Sequence, residues 1–297
     1  MNVLIVGGHG FIASHIAATL VRHGHTPILA VRHPSLNGKM VELGCNLNTM
    51  LNAAVWQPLL ENVQAVINAA GILRGSAQHH QQVHCDAPAA LAAACAAAKK
   101  PFLHISALGL DNAKATPYFN SKRDGEVAIR MANSAAIIVR PSLVFGAEST
   151  ATKLMLSQAR LPFLVQPAIS KPVAPIHVDD LAKLCITLIN TMRALGCDVD
   201  AAGQKNLSLG EYINALRQAM HYKPAPIGHL PNSLIRAALQ LSAWLGAKIL
   251  VPEALDLMEH AHVGDAHQYV RWMHHQPRPI STFLQVRSAG IAAQKLA

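Results

Sequence analysis

Aromatic side chains are scarce: Phe, Trp and Tyr together make up 4% of the 297 residues. No run of Lys and Arg is longer than two. A chain so short of rings and of basic blocks has little with which to stack bases or track a phosphate backbone, and nucleic acid is not an expected partner. Long apolar runs are missing as well. The nearest, 87–98 and 237–247, fall short of the roughly 18 residues a membrane span needs. The five cysteines (Cys45, Cys85, Cys95, Cys185, Cys197) form no CxxC pair and are odd in number. They read as scattered core residues of a reducing, cytoplasmic compartment. No cleavable leader is expected, because Asn2 runs straight into an apolar strand that glycines interrupt. The 17 histidines cluster at 79–80, 260–262 and 274–275, yet none falls in HExxH or a zinc-type Cys/His spacing, so no metal is expected. Acidic residues are outnumbered, 16 against 25 Lys and Arg. The formal charge of +9 favours anionic partners such as a phosphorylated cofactor or a membrane surface.

What is present is a hydrophobic fraction of 51%, enough for a large core. The most telling stretch is residues 3–13, Val-Leu-Ile-Val-Gly-Gly-His-Gly-Phe-Ile-Ala. Val3–Val6 suits a buried parallel strand. Gly7, Gly8 and Gly10 follow, and Ile12, Ile16 and Leu20 then recur at helical spacing, with Gly24 as a stop. A strand, a glycine turn and a helix N-terminus cradle a dinucleotide pyrophosphate: the turn lets backbone approach the anion, and the helix dipole holds it. Gly7, Gly8, His9, Gly10, Phe11 and Ile12 are the candidate pyrophosphate residues. The spacing is Gly7-x-x-Gly10-x-x-Ala13 rather than GxGxxG.

Further apolar runs predict strands at 28–31, 63–70, 102–105 and 136–139, the last stopped by Arg140-Pro141. Helices are predicted at 87–98 and 118–131, the second carrying a Glu126/Arg130 pair at i,i+4. Alternation of this kind implies a doubly wound parallel-sheet α/β Rossmann fold over residues 1–165. A smaller, mostly helical domain is expected over 166–297, with 176–192 packing back on the first. Past 150 the chain is rich in proline. Asp179-Asp180 reads as the cap and first turn of a helix from Leu181. Leu207–Leu209 reads as a strand before a capped helix, and further helices are expected at 234–250 and 253–262. The strongly apolar 234–250 stretch is either a buried helix or a peripheral contact with a membrane or membrane complex.

Three strand ends face the expected ligand crevice: Arg32-His33, Asn68-Ala69-Ala70-Gly71 and Ser106-Ala107. Arg32, with His33, suits the 2′-phosphate of NADP, and NAD is the other possibility. Beyond Ser106 comes Tyr118-Phe119-Asn120-Ser121-Lys122, whose Tyr and Lys share a helix face. An ammonium beside a phenol is expected to lower the phenol pKa and make Tyr118 a proton-transfer group.

In these pieces the chain resembles the short-chain dehydrogenase/reductase superfamily, in its extended or atypical branch. The matches are GGHGFIA at 7–13, NAAG at 68–71, HISALG at 104–109, PYFNSK at 117–122, RPSLVFG at 140–146 and HVDD at 177–180. Among its subgroups, the likeness is greatest to the one holding the NADPH-binding accessory subunit of respiratory complex I. The resemblance implies nicotinamide cofactor binding, with Asn46 near the adenine, Arg140 and Pro141 beside the cofactor, Tyr118 and Lys122 both catalytic and in contact with the cofactor, and Ser106 catalytic. Read as residues alone, Arg140-Pro141 is structural, Pro141 ending a strand and Arg140 orienting a loop. This chain departs from the family in having Ala107 after Ser106, His84 where many relatives carry Asn, and an uncharged Asn46. Three functions follow as expectations: hydride transfer to or from a small carbonyl or hydroxyl substrate; a non-catalytic NADPH-binding subunit, assembly factor or redox sensor of a membrane-associated complex; or a nucleotide-sugar epimerase or dehydratase.

Overall fold

The computed structural model describes residues 1–35, 38, 40–110, 116–237 and 263–285. The helices expected at 234–250 and 253–262 lie almost wholly outside them.

Seven parallel strands form the central sheet. They are β1 (Asn2–Val6), β2 (Thr26–Val31), β3 (Val41–Gly44), β4 (Ala65–Asn68), β5 (Phe102–Ile105), β6 (Ile137–Pro141) and β10 (Asp198–Ala201), in the order β10-β6-β5-β4-β1-β2-β3. Every neighbouring pair is parallel. Helices α1 (Phe11–Arg22) and α7 (Val178–Ile189) cover one face. On the other lie α2 (Ala53–Leu60), α4 (Ala87–Ala97) and α5 (Pro117–Ala132). Both faces are covered, so the strands read as unbroken apolar runs. Val3, Ile5, Leu103, Ile105, Ile137 and Val139 point to the α1/α7 side; Leu4, Val6, Val66 and Phe102 point to the other. The order reverses between β1 and β4, where doubly wound sheets open a ligand crevice at their carboxyl ends.

Past residue 165 the chain returns to the sheet twice. Leu181, Leu184, Cys185 and Leu188 of α7 sit in the same core as β1, and β10 adds the seventh strand. Helix α9 (Ala266–Met273) places Tyr269 in that core. A smaller core gathers α6 (Thr150–Gln158), β8 (Leu164–Pro167), α8 (Leu209–Ala219) and β11 (Ile227–Leu230). Strands β8 and β11 pair in parallel, and β7 (Val144–Phe145) pairs with β9 (Ile176–His177).

Four local expectations are corrected. Strand β6 continues through Arg140 and Pro141 instead of stopping before them. The cap of α7 is His177, whose ring accepts the Asp179 amide, leaving Asp179 and Asp180 in the first turn. Leu207 makes one isolated bridge to Val173, and Ser208 forms a capping box with Glu211 in place of a strand. The Glu126/Arg130 pair does not form: Glu126 binds Arg140, and Arg130 binds Asp198 on β10. All five cysteines are free thiols, four of them buried.

Candidate active site

The glycine turn divides its labour. Gly7 sits at φ +78°, and a Cβ there would lie 2.9 Å from the Ala70 backbone. At Gly8 a Cβ would lie 2.6 Å from Leu29 Cβ. These two glycines let β1, β2 and the end of β4 close on one another. Gly10 has an ordinary φ of −71°. A Cβ there would meet Gly7 O at 3.0 Å and Ala13 Cβ at 4.0 Å. The helix that begins after Gly10 has no side-chain cap and no acidic residue in its first turn, so its positive end is open to an anion. Phe11 lies over Gly146 and meets the His15 ring edge-on. Ile12 is half-buried against the core.

At the far end of the turn Arg32 and His33 are exposed just beyond β2. An acidic residue not expected from the sequence closes on the turn from β3. Glu42, on β3, takes His9 Nε2 at 2.8 Å and the Ser35 amide at 2.7 Å. Asn46 is exposed, and its Oδ1 accepts the Asn48 amide.

The other side of the crevice is built by the end of β4. Asn68 is 1% exposed and committed internally: Oδ1 accepts the Ala70 amide and Nδ2 donates to His104 Nδ1 at 3.0 Å. That fixes the His104 proton on Nε2. Ala69 donates its amide to Val6 O. A Cβ on Gly71 would lie 3.7 Å from both His84 Nε2 and Lys122 Nζ, so the NAAG turn, His84 and Lys122 converge.

His84 sits in a π-helical turn, Gln82–Asp86, between α3 (Ala77–Gln81) and α4. Its Nε2 accepts the Ile72 amide at 3.0 Å, so the proton is on Nδ1, which donates to Ser121 Oγ at 2.9 Å. Ser121 in turn donates to Tyr118 O. The rings of His80 and His84 both meet Tyr118 edge-on. Helix α5 lies close to the π turn because Gly125 has no side chain; a Cβ there would collide with the His84 carbonyl. Thr116 caps α5 by accepting the Phe119 amide.

Electrostatics set the protonation states. Burial lowers Lys122 to about 8, partly countered by Glu126. Burial first, then the Lys122 charge, lowers His84 to about 2 and His104 to about 3, so both are neutral imidazoles. The expectation that Lys122 makes Tyr118 more acidic is overturned: burial raises the phenol to about 12. At neutral pH Tyr118 is a proton donor. Ser106 is 5% exposed at the end of β5, its amide on Val139 O, and its buried Oγ has no partner among the described residues. An orphaned hydroxyl of this kind has unused hydrogen-bonding capacity, which a bound oxygen would satisfy.

Arg140 serves elsewhere than the cofactor role implied for it. Its Nε lies 3.0 Å from both Glu126 oxygens and its Nη2 lies 2.9 Å from Asp198, bracing β6 against α5 and β10. Pro141 gives its carbonyl to the Leu108 amide. Among the described residues no three His, Cys, Asp or Glu are arranged to hold a metal ion, and no helix is long and apolar enough to cross a membrane.

A family model described as the RmlD substrate binding domain matches residues 1–199. A protein of Caulobacter vibrioides named ceramide reductase is 26% identical over 246 residues, spanning 82% of this chain and 78% of that protein. Among solved structures, the human epimerase family protein SDR39U1 with NADPH is similar at 16% identity and a TM-score of 0.68, covering 93% of this chain and 95% of that one. A UDP-glucose-4-epimerase of Stenotrophomonas maltophila with bound NAD is 17% identical with a TM-score of 0.67, covering 95% of each chain. The fold is thus shared with NAD(P)-dependent reductases and epimerases.

Proposed function

This chain belongs to the RmlD substrate binding domain family, and from that premise we propose that it is an NADPH-dependent reductase of a carbonyl compound. The observation that carries the reading is a neutral phenol packed on His84 and a buried ammonium beside Gly71 and the same imidazole, with an unpartnered serine hydroxyl at the carboxyl end of β5. The residues present fit the cofactor. Gly10 and the uncapped start of α1 would hold the pyrophosphate, and Arg32 the 2′-phosphate. Lys122, beside Gly71, would reach the nicotinamide ribose. The bound cofactor supplies a hydride to the carbonyl carbon.

The chain's own groups manage the oxygen. Tyr118, protonated at neutral pH, gives its proton to the oxygen as that atom gains charge. Ser106 Oγ donates a hydrogen bond to the same oxygen. Lys122 stabilises the phenolate left behind, which solvent then reprotonates. The product is the alcohol. The Caulobacter relative named ceramide reductase makes a lipid-borne carbonyl the first substrate class to assay.

The test is loss of NADPH absorbance with a panel of lipid and small carbonyl compounds, for the wild type and Tyr118→Phe. Turnover is expected to fall by about 10²–10⁴ in the variant, with NADPH affinity held. Turnover that survives the substitution unchanged overturns the assignment. Tight NADPH binding without turnover across the panel would favour the non-catalytic subunit, the reading that Ala107 after Ser106 supports.

A further inference from the structure

Scattered exposed apolar side chains are normal on a protein surface, and a gathered set is the informative case. Six of the fourteen large apolar residues exposed among the described residues lie on or beside the small β8–β11 sheet: Leu161, Phe163, Val165, Ile169, Leu230 and Leu234. Leu161 and Phe163 lie in the bend that leads into β8, and Val165 lies on the strand itself. Leu164 and Gln166 turn inward, while Phe163 and Val165 turn out. Across the sheet, Val165 is paired with Gly228. The Phe163 ring lies in the space that a Cβ on Gly228 would fill, so the ring covers the sheet without closing it off. Ile169 is 67% exposed and held in place: Asn232 accepts its amide at 3.0 Å and donates to its carbonyl at 2.8 Å. Ala168 donates to Leu230 O. The strip therefore runs on from β8 through Ile169 to Leu230 and Leu234 as a fixed surface.

The two chain segments that build it carry charge of one sign. Residues 149–178 contain no Asp or Glu and carry Lys153, Arg160 and Lys171; residues 212–252 contain none and carry Arg217, Lys223, Arg236 and Lys248. Arg217 is internal, donating to the carbonyls of Ala159, Leu161 and Lys223. It thereby gathers the exposed Arg160 and Lys223 at the start of the strip, and Lys171 follows two residues after Ile169. Apolar side chains framed by cations, with no acid in either segment, are what an anionic bilayer selects: the apolar row enters the acyl boundary and the cations sit at the headgroups.

We propose that the outer face of the β8–β11 sheet docks this protein on an anionic membrane surface. The site lies upstream of residues 238–250, most of the apolar stretch singled out in the sequence, which are outside the described residues. It is independent of the carbonyl chemistry, since none of its side chains belongs to the Tyr118 site.

The experiment is flotation of the full chain with vesicles of phosphatidylcholine alone and of phosphatidylcholine mixed with phosphatidylglycerol. The wild type is expected to float with the mixed vesicles, to float less with phosphatidylcholine alone, and to lose binding as salt shortens the Debye length. A Val165→Glu/Ile169→Glu double variant is expected to partition at least about tenfold less, and Lys171→Glu several-fold less. A Val165→Ser/Ile169→Ser variant with the wild-type melting transition guards against misfolding and should also bind more weakly. A wild type that never floats overturns the proposal, as does a double variant that floats like the wild type. Light scattering that shows a dimer converted to monomer by the same substitutions would assign the face to a second copy, and that too overturns it.

Discussion

His84 gives its Nδ1 proton to Ser121 across 2.9 Å while its Nε2 takes the Ile72 amide at 3.0 Å, so one neutral ring ties the exit of β4 to the first turn of α5. Replacing it with alanine leaves the part-buried Ile72 amide without its acceptor and the Ser121 hydroxyl with only its bond to Tyr118 O. His84→Ala is expected to lower stability by about 2–4 kcal/mol in urea denaturation. Carbonyl reduction should fall as the α5 turn loosens. With the imidazole held down at about 2, the pH profile should keep its shape above pH 5; a profile that loses a limb in the variant would show that His84 itself titrates during turnover.

Lys122 provides the pH limb that His84 does not. Its ammonium is present below about 8 and is lost as pH rises through that value, because burial disfavours the charge. NADPH affinity and kcat/KM are expected to decline above about pH 8, and calorimetric titrations across the alkaline range should show it. Lys122→Met should weaken binding at neutral pH and flatten the decline.

The three glycines of the first turn should separate in a cofactor titration. Gly10→Val adds a side chain at an unstrained φ with a single close neighbour, Gly7 O, so the protein should stay folded and lose dinucleotide binding. Gly7→Ala forces a Cβ onto the Ala70 backbone at positive φ and should unfold the turn itself. Arg32→Ala should weaken NADPH more than NADH, since the 2′-phosphate is its proposed partner. Equal losses for the two cofactors would remove Arg32 from that role.

His15 joins α1 to α7 and carries a different pH signature. Its Nδ1 lies 2.9 Å from Asp179 and its Nε2 3.3 Å from Glu148, so acceptors flank both nitrogens and the imidazolium satisfies them. Burial lowers its pKa, but the two carboxylates more than offset that and the net shift is upward from 6.5. The hydrogen bond from His15, set against burial and aided by His177 and Arg278, holds the Asp179 carboxyl below its usual 3.8. A raised histidine stabilises the fold below its unfolded pKa and loses that contribution as pH rises through the folded value; a lowered carboxyl does the reverse. The pair should therefore stabilise most between about pH 4 and 6.5. The Tm gap between wild type and His15→Ala is expected to narrow as pH goes from 6 to 8, and a gap constant with pH would deny the charged pair.

How much of this was legible in the sequence depends on the distance over which each fact is decided. The strand at 102–105 is read from four consecutive residues and stands as expected, and the Tyr118/Lys122 spacing is set within one helix turn. Charge partners are another matter. Glu126 and Arg130 are neighbours on a helix, yet the sheet order brings Arg140 and Asp198, 58 residues apart, to the same edge and splits the pair. The Tyr118 shift has the opposite sign to the expectation because an ammonium is visible in the sequence while the depth of burial is not. Glu42 escaped notice since its partners, His9 and Ser35, are joined to it only by the closure of β3 on the turn. Strands β8 and β11 lie in proline-rich chain whose alternation is too short to announce them.

Gly125 has a bearing on how mutational data for this chain would be read. Every side chain the genetic code offers there meets the His84 carbonyl, so in a saturation library scored by growth or turnover the position would rank beside Tyr118 although it touches no reactant. Abundance separates the two: loss at 125 should track the amount of soluble protein, whereas loss at 118 should leave that amount as it was.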